Sequence, residues 1–162
     1  MLVILAVPYL KPIIAPIQWY GPQREQWQEG VCLQTSSSTC GPACAATLLK
    51  QAGYDASEQE LAAESFTYVG GTENWYLIRA LRRRGINGRI VIGAPEPKVL
   101  PYPAIAGVRL GDEHGSGHFI TILGKTPQGY VIGDPVSGRE VMSRKKMQIG
   151  YYFTGFFIVT GQ

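Results

Sequence analysis

Charge is scarce in this sequence: Asp, Glu, Lys and Arg make up 17% of the 162 residues and leave a net charge of only +3. A nucleic-acid surface needs clustered cations with aromatic residues between them. The two basic runs, Arg82-Arg83-Arg84 and Arg144-Lys145-Lys146, have no such interleaving. They read as a solvated helix end and a solvated loop, and no nucleic acid is expected as a partner. Histidine is rarer still, with only His114 and His118. The three cysteines, Cys32, Cys40 and Cys44, are an odd number in a chain of this length. That excludes a disulfide framework and leaves at least one thiol free or otherwise engaged. There is no internal repeat, no low-complexity stretch and no apolar run near the roughly 20 residues a spanning helix needs.

The first sixteen residues, MLVILAVPYLKPIIAP, come nearest to such a run, but three prolines and Lys11 interrupt them. They lack a clear basic n-region and a clear small-residue cleavage site. Two readings remain: an extended strand or arm packed on the domain, or the tail of a membrane anchor. The greasy opening favours the second, and with it membrane association through the N-terminus. A membrane-associated or secreted location is thus favoured over a cytoplasmic one. Residues 1–30 are accordingly set apart from a domain over 31–162.

What the chain does contain is an ordinary apolar share, 45%, with 20 Gly and 11 Pro to supply turns. One domain with a real core fits this length. Residues 17–33 read as irregular, with Trp19, Tyr20 and Trp27 as packing groups. Thr35 to Thr39 form a polar loop, and a helix follows through Gln51, opened by Gly41-Pro42 and ended by Gly53. Ser57 and Glu60 have the spacing of a capping box for a helix over 57–63. Residues from Glu73 or Asn74 to Arg84 predict a third helix, with Trp75, Ile78 and Leu81 as its apolar face. Strands are expected at 89–92, 104–110, 118–123, 130–133 and 156–160. Helices first and strands second indicate an α+β fold, with N-terminal helices packed on a C-terminal antiparallel sheet.

Four residues could carry chemistry. Cys40 stands between the polar loop and a helix N-terminus, where backbone N–H groups and the helix dipole favour a thiolate nucleophile; a buried structural thiol is the plainer reading. His118 opens an apolar strand after a glycine-rich stretch, a place from which an imidazole can face a cleft or pack into the core. Asp134 ends the next strand. If the two strands form a hairpin, it can accept the imidazole N–H and fix its tautomer; otherwise it caps its own turn. Gln34, six residues before Cys40, could donate an amide N–H to an oxyanion, or be an ordinary loop residue. The set in this order is more specific than any member.

The stretch QTSSSTCGPACAATLLKQAG, from Gln34 to Gly53, resembles the peptidase C39 family of papain-like domains, best known from bacteriocin ABC exporters. LPYPAIAGVRLGDEHGSGHFITILGK, GDPVSGREVMS and YYFTGFFIVT are similar to its later blocks, so the resemblance runs from about Val31 to Thr160. It implies a cysteine peptidase that cleaves a peptide or protein substrate without cofactor or metal. Cys40 would be the nucleophile, His118 the general base, Asp134 the orienting acid and Gln34 the oxyanion donor, with Cys44 structural. No transporter or nucleotide-binding sequence follows, so export-coupled processing is not implied.

The segment YVGGTENW and the glycine-rich approach to His118 are expected to wall the cleft, with Tyr68, Gly71, Trp75 and Gly117 touching substrate. Two rivals stand beside this reading. One is an inactive peptide-binding module of the same fold. The other is a structural zinc domain using Cys40, Cys44, His114 and His118, whose spacings match Cys2His2 sites but leave Gln34 and Asp134 without a role.

Overall fold

The computed structural model describes residues 2–18, 25–93 and 100–160, the first five of them as backbone only. Helix α1 (Leu2–Ile14) precedes a hairpin, β1 (Gln26–Gln28) and β2 (Val31–Leu33). Helices α2 (Cys40–Gln51), α3 (Glu58–Glu64) and α4 (Asn74–Arg83) follow. The C-terminal half holds β3 (Gly88–Ile92), β4 (Ala104–Leu110), β5 (Gly117–Thr126), β6 (Gly129–Asp134), β7 (Gly138–Met142), α5 (Arg144–Gly150) and β8 (Tyr151–Thr160). Strands β3 to β8 form one antiparallel sheet in the order β3-β8-β4-β5-β6-β7. The architecture is the expected α+β.

Alternation along the strands builds two cores from one sheet, because successive side chains point to opposite faces. Ile105 and Ile158 face the helices and pack with Cys44, Leu48, Leu61 and Leu77. Their neighbours Ala104, Ala106, Phe157 and Val159 face the other way and pack with Ile120, Ile132 and Met147 of α5. The capping box at Ser57 is present in both directions: Glu60 N–H donates to Ser57 Oγ at 3.1 Å, and Ser57 N–H donates to Glu60 Oε2 at 3.2 Å.

Several expectations change. Residues 26–33 are a hairpin rather than irregular; Glu29 and Gly30 turn it with φ of 48° and 79°. Such turns usually announce themselves with Asn or Asp, so Glu in that place hid it. Trp27 lies on β1 and is exposed, while Trp19 and Tyr20 lie outside the described residues. The second basic run is the first turn of α5, capped by Ser143, and not a loop. Cations at a helix N-terminus oppose the dipole, which is why the sequence did not read as helix there. Strand β7 is an addition, short and only partly apolar. On α4 the buried face runs through Tyr76, Leu77, Ile78, Ala80 and Leu81, and Trp75 stays outside it.

The N-terminal segment is helical rather than extended, through both Pro8 and Pro12. These lie four apart, so the backbone bonds they forgo fall on one side of the helix. The helix end docks on the domain: Val69 N–H donates to Ala15 O at 2.8 Å, and Lys11 Nζ donates to Tyr68 Oη at 3.0 Å and Glu73 Oε1 at 3.1 Å. Among the described residues no helix is long and apolar enough to cross a membrane.

Candidate active site

Cys40 is the first residue of α2 and is 8% exposed. The preceding loop is tied down by its own polar side chains. Ser36 N–H donates to Thr39 Oγ1 at 3.1 Å, and Thr39 Oγ1 donates to Ser36 O at 2.9 Å. Thr39 is the N-cap residue, yet its side chain is spent on this loop and caps nothing. The first N–H groups of α2 thus keep their capacity for an anion. Behind the loop lies buried Glu58, whose Oε1 accepts from Thr35 N–H at 2.9 Å. Burial pushes its carboxyl up, and the bond from the Thr35 N–H only partly offsets that.

His118 is the second residue of β5 and Asp134 the last of β6. The register pairs Thr121 with Gly133, so both residues reach the same end of the sheet. Gly133 is required just there: a Cβ on it would lie 2.9 Å from Val31 Cγ2, where β2 crosses. Gln34 N–H donates to Pro135 O at 2.9 Å, which joins the end of β2 to the Asp134 turn.

His118 Nε2 lies 2.9 Å from Asp134 Oδ1. The same oxygen accepts from Val136 N–H at 2.8 Å, and Oδ2 accepts from Tyr151 Oη at 2.6 Å. All three side chains are buried. An ionised carboxylate only accepts, so Asp134 fixes the proton on Nε2. In the neutral ring Nδ1 is then the nitrogen free to accept a proton, and Cys40 lies near enough to raise the His118 pKa. Burial alone would lower the His118 pKa, but the bond to Asp134 and the nearness of Cys40 outweigh it and raise it to about 9. Asp134 shows the converse: burial opposes ionisation, while His118, Tyr151 and Val136 hold its pKa below the ordinary carboxylate value. Burial, and then the Asp134 charge, pushes the Tyr151 phenol up.

Cys40 and His118 open on a cleft of about 270 Å³. Of the expected substrate contacts, Tyr68, Gly71 and Gly117 line it, and Trp75 does not. The Trp75 ring lies instead 6.2 Å from that of Tyr9 and 5.8 Å from that of Tyr76. Gln34 is also outside the lining. Its Nε2 donates to Ser36 O at 2.8 Å, and its Oε1 is buried with no partner. An amide nitrogen carries two hydrogens, so Nε2 has a second one to donate. Tyr151 and Glu58 were missed from the sequence; both lie far along the chain from the groups they hold, and only the fold brings them there. Gly107 and Phe156 also line the cleft, from β4 and β8.

The proposed zinc ligands do not assemble. His114 is exposed beside Glu113 on the loop before β5, and among the described residues no group of three or more His, Cys, Asp or Glu could hold a metal ion. All three cysteines are unbridged and buried. Burial raises the pKa of Cys44 and of Cys32 well above the ordinary thiol value, so neither is poised as a nucleophile.

The chain is 35% identical over 111 residues to an uncharacterized protein of Methanothermobacter marburgensis, a match covering 68% of this chain and 75% of that one. A second uncharacterized protein, from Methanothermobacter thermautotrophicus, is 32% identical over 117 residues, 72% of this chain and 79% of its own. Among solved structures, the peptidase domain of Streptococcus ComA, a bi-functional ABC transporter involved in quorum sensing, superposes with a TM-score of 0.67 at 25% identity. That match covers 80% of this chain and 95% of that one. A double glycine motif protease from an AMS/PCAT transporter, solved in complex with the leader peptide, superposes with a TM-score of 0.69 at 19% identity. It covers 85% and 98% of the two chains and speaks for the fold alone. The Peptidase C39 family profile matches residues 28–161; the chain belongs to the peptidase C39 family and forms a papain-like peptidase domain.

Proposed function

We propose that this domain is an active cysteine peptidase, with Cys40 as nucleophile, His118 as general base, Asp134 as the residue that orients the imidazole, and Gln34 as an oxyanion donor. The observation that carries this reading is a single buried imidazole, bonded to Asp134 through Nε2, that lines one cleft together with Cys40 at the start of α2. His118 Nδ1 takes the Cys40 proton, and the resulting imidazolium faces a thiolate at a helix N-terminus, where negative charge is favoured. Sγ attacks the peptide carbonyl carbon, and the oxyanion that forms accepts from the Cys40 N–H and from the spare hydrogen of Gln34 Nε2. As the tetrahedral intermediate collapses, the C–N bond breaks and His118 protonates the departing amine. Water, deprotonated by the now neutral imidazole, then adds to the thioester, and the thiolate leaves as the acid is released. Tyr68, Gly71 and Gly117 flank the substrate backbone.

A mixture of unmodified synthetic peptides incubated with the purified chain tests this, with new termini read by mass spectrometry. Wild type is expected to generate them, and Cys40→Ala to lose on the order of 10⁶-fold in rate, the cost of removing a nucleophile. Equal products from both proteins, or Cys40 alkylation by iodoacetamide that is unchanged in His118→Ala, would overturn the assignment.

A further inference from the structure

Residues 14–18 precede the part of the chain that the family profile matches, which starts at residue 28. They nevertheless line a second cleft beside the nucleophile, of about 480 Å³. Ile14 and Ile17 contribute to it from the N-terminal segment, Val69 from the wall that follows α3, and Ser36 to Ser38 from the nucleophile loop. Ser37 lines the Cys40 cleft as well, so the two cavities meet within three residues of the thiol. None of the described residues lining the second cleft is charged; Gln18 and the three serines are its polar part, and Ile14, Ala15, Pro16, Ile17 and Val69 its apolar part. Ile14 is 76% exposed and Val69 is 65% exposed, although aliphatic side chains gain by leaving water.

The cleft is a built feature. The bond from Val69 N–H to Ala15 O joins its two apolar walls, and Pro16 forms a β-bridge with Tyr68. Gly70 N–H donates to Ser38 Oγ at 3.0 Å, which ties the same wall to the nucleophile loop. Tyr68 and Gly70 on that wall also line the Cys40 cleft. One short segment therefore shapes both cavities, and an extended chain crossing Cys40 would meet both.

We propose that this second cleft is a specificity subsite that takes an aliphatic or aromatic side chain of the peptide substrate, a few residues from the scissile bond. The proposal rests on the peptidase reading of Cys40 and His118, and it makes the N-terminal segment part of the substrate-binding surface. Discrimination between side chains in an apolar pocket amounts to roughly 10- to 200-fold per methylene-sized difference, enough to set sequence preference.

The test needs no turnover. Full-length Cys40→Ala protein is immobilised and exposed to a synthetic peptide library of randomised sequence, and the captured peptides are sequenced by mass spectrometry. The expected result is enrichment of Leu, Ile, Val or Phe at one position by about tenfold. Adding Ile14→Asp or Val69→Asp should abolish that enrichment, and Ile14→Leu should keep it. Both positions are exposed, so these variants fold. An absence of apolar preference, or a preference that survives both aspartates, overturns the subsite whether or not wild type cleaves. A preference that depends on Ile14 and Val69 in a protein whose wild type cleaves nothing keeps the cleft as a peptide-binding site and removes the hydrolytic reading instead.

Discussion

On the sheet side of the cleft, every polar atom of the acid that backs the histidine has a partner: one Asp134 oxygen accepts from His118 and Val136, the other from Tyr151. On the helix side, Gln34 Oε1 is buried without a partner and no side chain caps α2, and on the sheet side only Thr121 Oγ1, not bonded to the acid, is in the same state among the described residues. Buried polar atoms are normally paired, and exceptions ask for an explanation. The contrast fits a division of labour. On the proposed mechanism the imidazole must keep one orientation through the whole cycle, so the carboxylate that backs it is fully bonded beforehand. On the same mechanism the loop beside Cys40 meets a charge that exists only in passing, and what it holds in reserve is donors: the uncapped N–H groups that open α2 and the second hydrogen of Gln34 Nε2.

The largest effect expected after loss of the thiol itself is on the completed side. Asp134→Asn keeps the shape but offers an N–H where the imidazole needs an acceptor, so the Nε2 tautomer is no longer enforced. The kcat should fall about 10⁴-fold. The pH profile should move with it. With His118 titrating at about 9, the alkaline limb of kcat/KM in wild type is expected near that value. In Asp134→Asn it should fall toward the ordinary imidazole value of about 6.5. The same groups couple to stability in opposite senses. His118 holds its proton more tightly folded than unfolded, so its contribution is complete below about pH 6.5 and is lost as the pH rises toward about 9. The lowered Asp134 pKa contributes at neutral pH and is lost on acidification. Urea midpoints measured across these windows should show both slopes, and Asp134→Asn should flatten both.

On the reserve side the effect is smaller. Gln34→Ala should cost about 10²- to 10³-fold in kcat, as loss of one oxyanion donor does, with KM and the alkaline limb unchanged. An alkaline limb that moved with Gln34→Ala would mean that the two sides are not separate, and the comparison above would fail.

The same division explains what was legible in the sequence. Cys40, His118 and Asp134 could be picked out because each sits at an element boundary that local pattern reveals: a loop running into a helix, a glycine stretch running into a strand, a strand ending at Asp-Pro. The capping box at Ser57 and the order of helices and strands were readable for the same reason. What escaped was set by tertiary contact. Tyr151 and Glu58 act through residues 17 and 23 positions away, and nothing local marks them. Trp75 was placed at the cleft because an aromatic beside Gly70-Gly71 suggested a wall; α4 turns it toward Tyr9 of α1, a partner no pattern near Trp75 announces. Helix α5 was hidden by the basic first turn that its cap at Ser143 overrides, and α1 by the two prolines within it.

The smallest effect is the most discriminating. Tyr151 Oη donates 2.6 Å to the Asp134 oxygen that does not face His118, so it acts on the imidazole only through the carboxylate. Tyr151→Phe removes that donor and leaves the ring to pack. A hydrogen bond to a charged group contributes roughly 1.5 to 3 kcal/mol, and a loss of that size in urea denaturation would follow from a purely structural role as well. The pH profile separates the two. Without Tyr151, Asp134 is less stabilised as an anion and a stronger acceptor, so it should grip the imidazolium harder. The alkaline limb should then move up, opposite to its shift in Asp134→Asn, with kcat lowered about tenfold if one bond's worth of orientation is lost and KM unchanged. If stability falls while the limb stays where it is, Tyr151 packs the sheet and does not tune the acid, and the completeness of the histidine side owes its chemistry to Val136 and His118 alone.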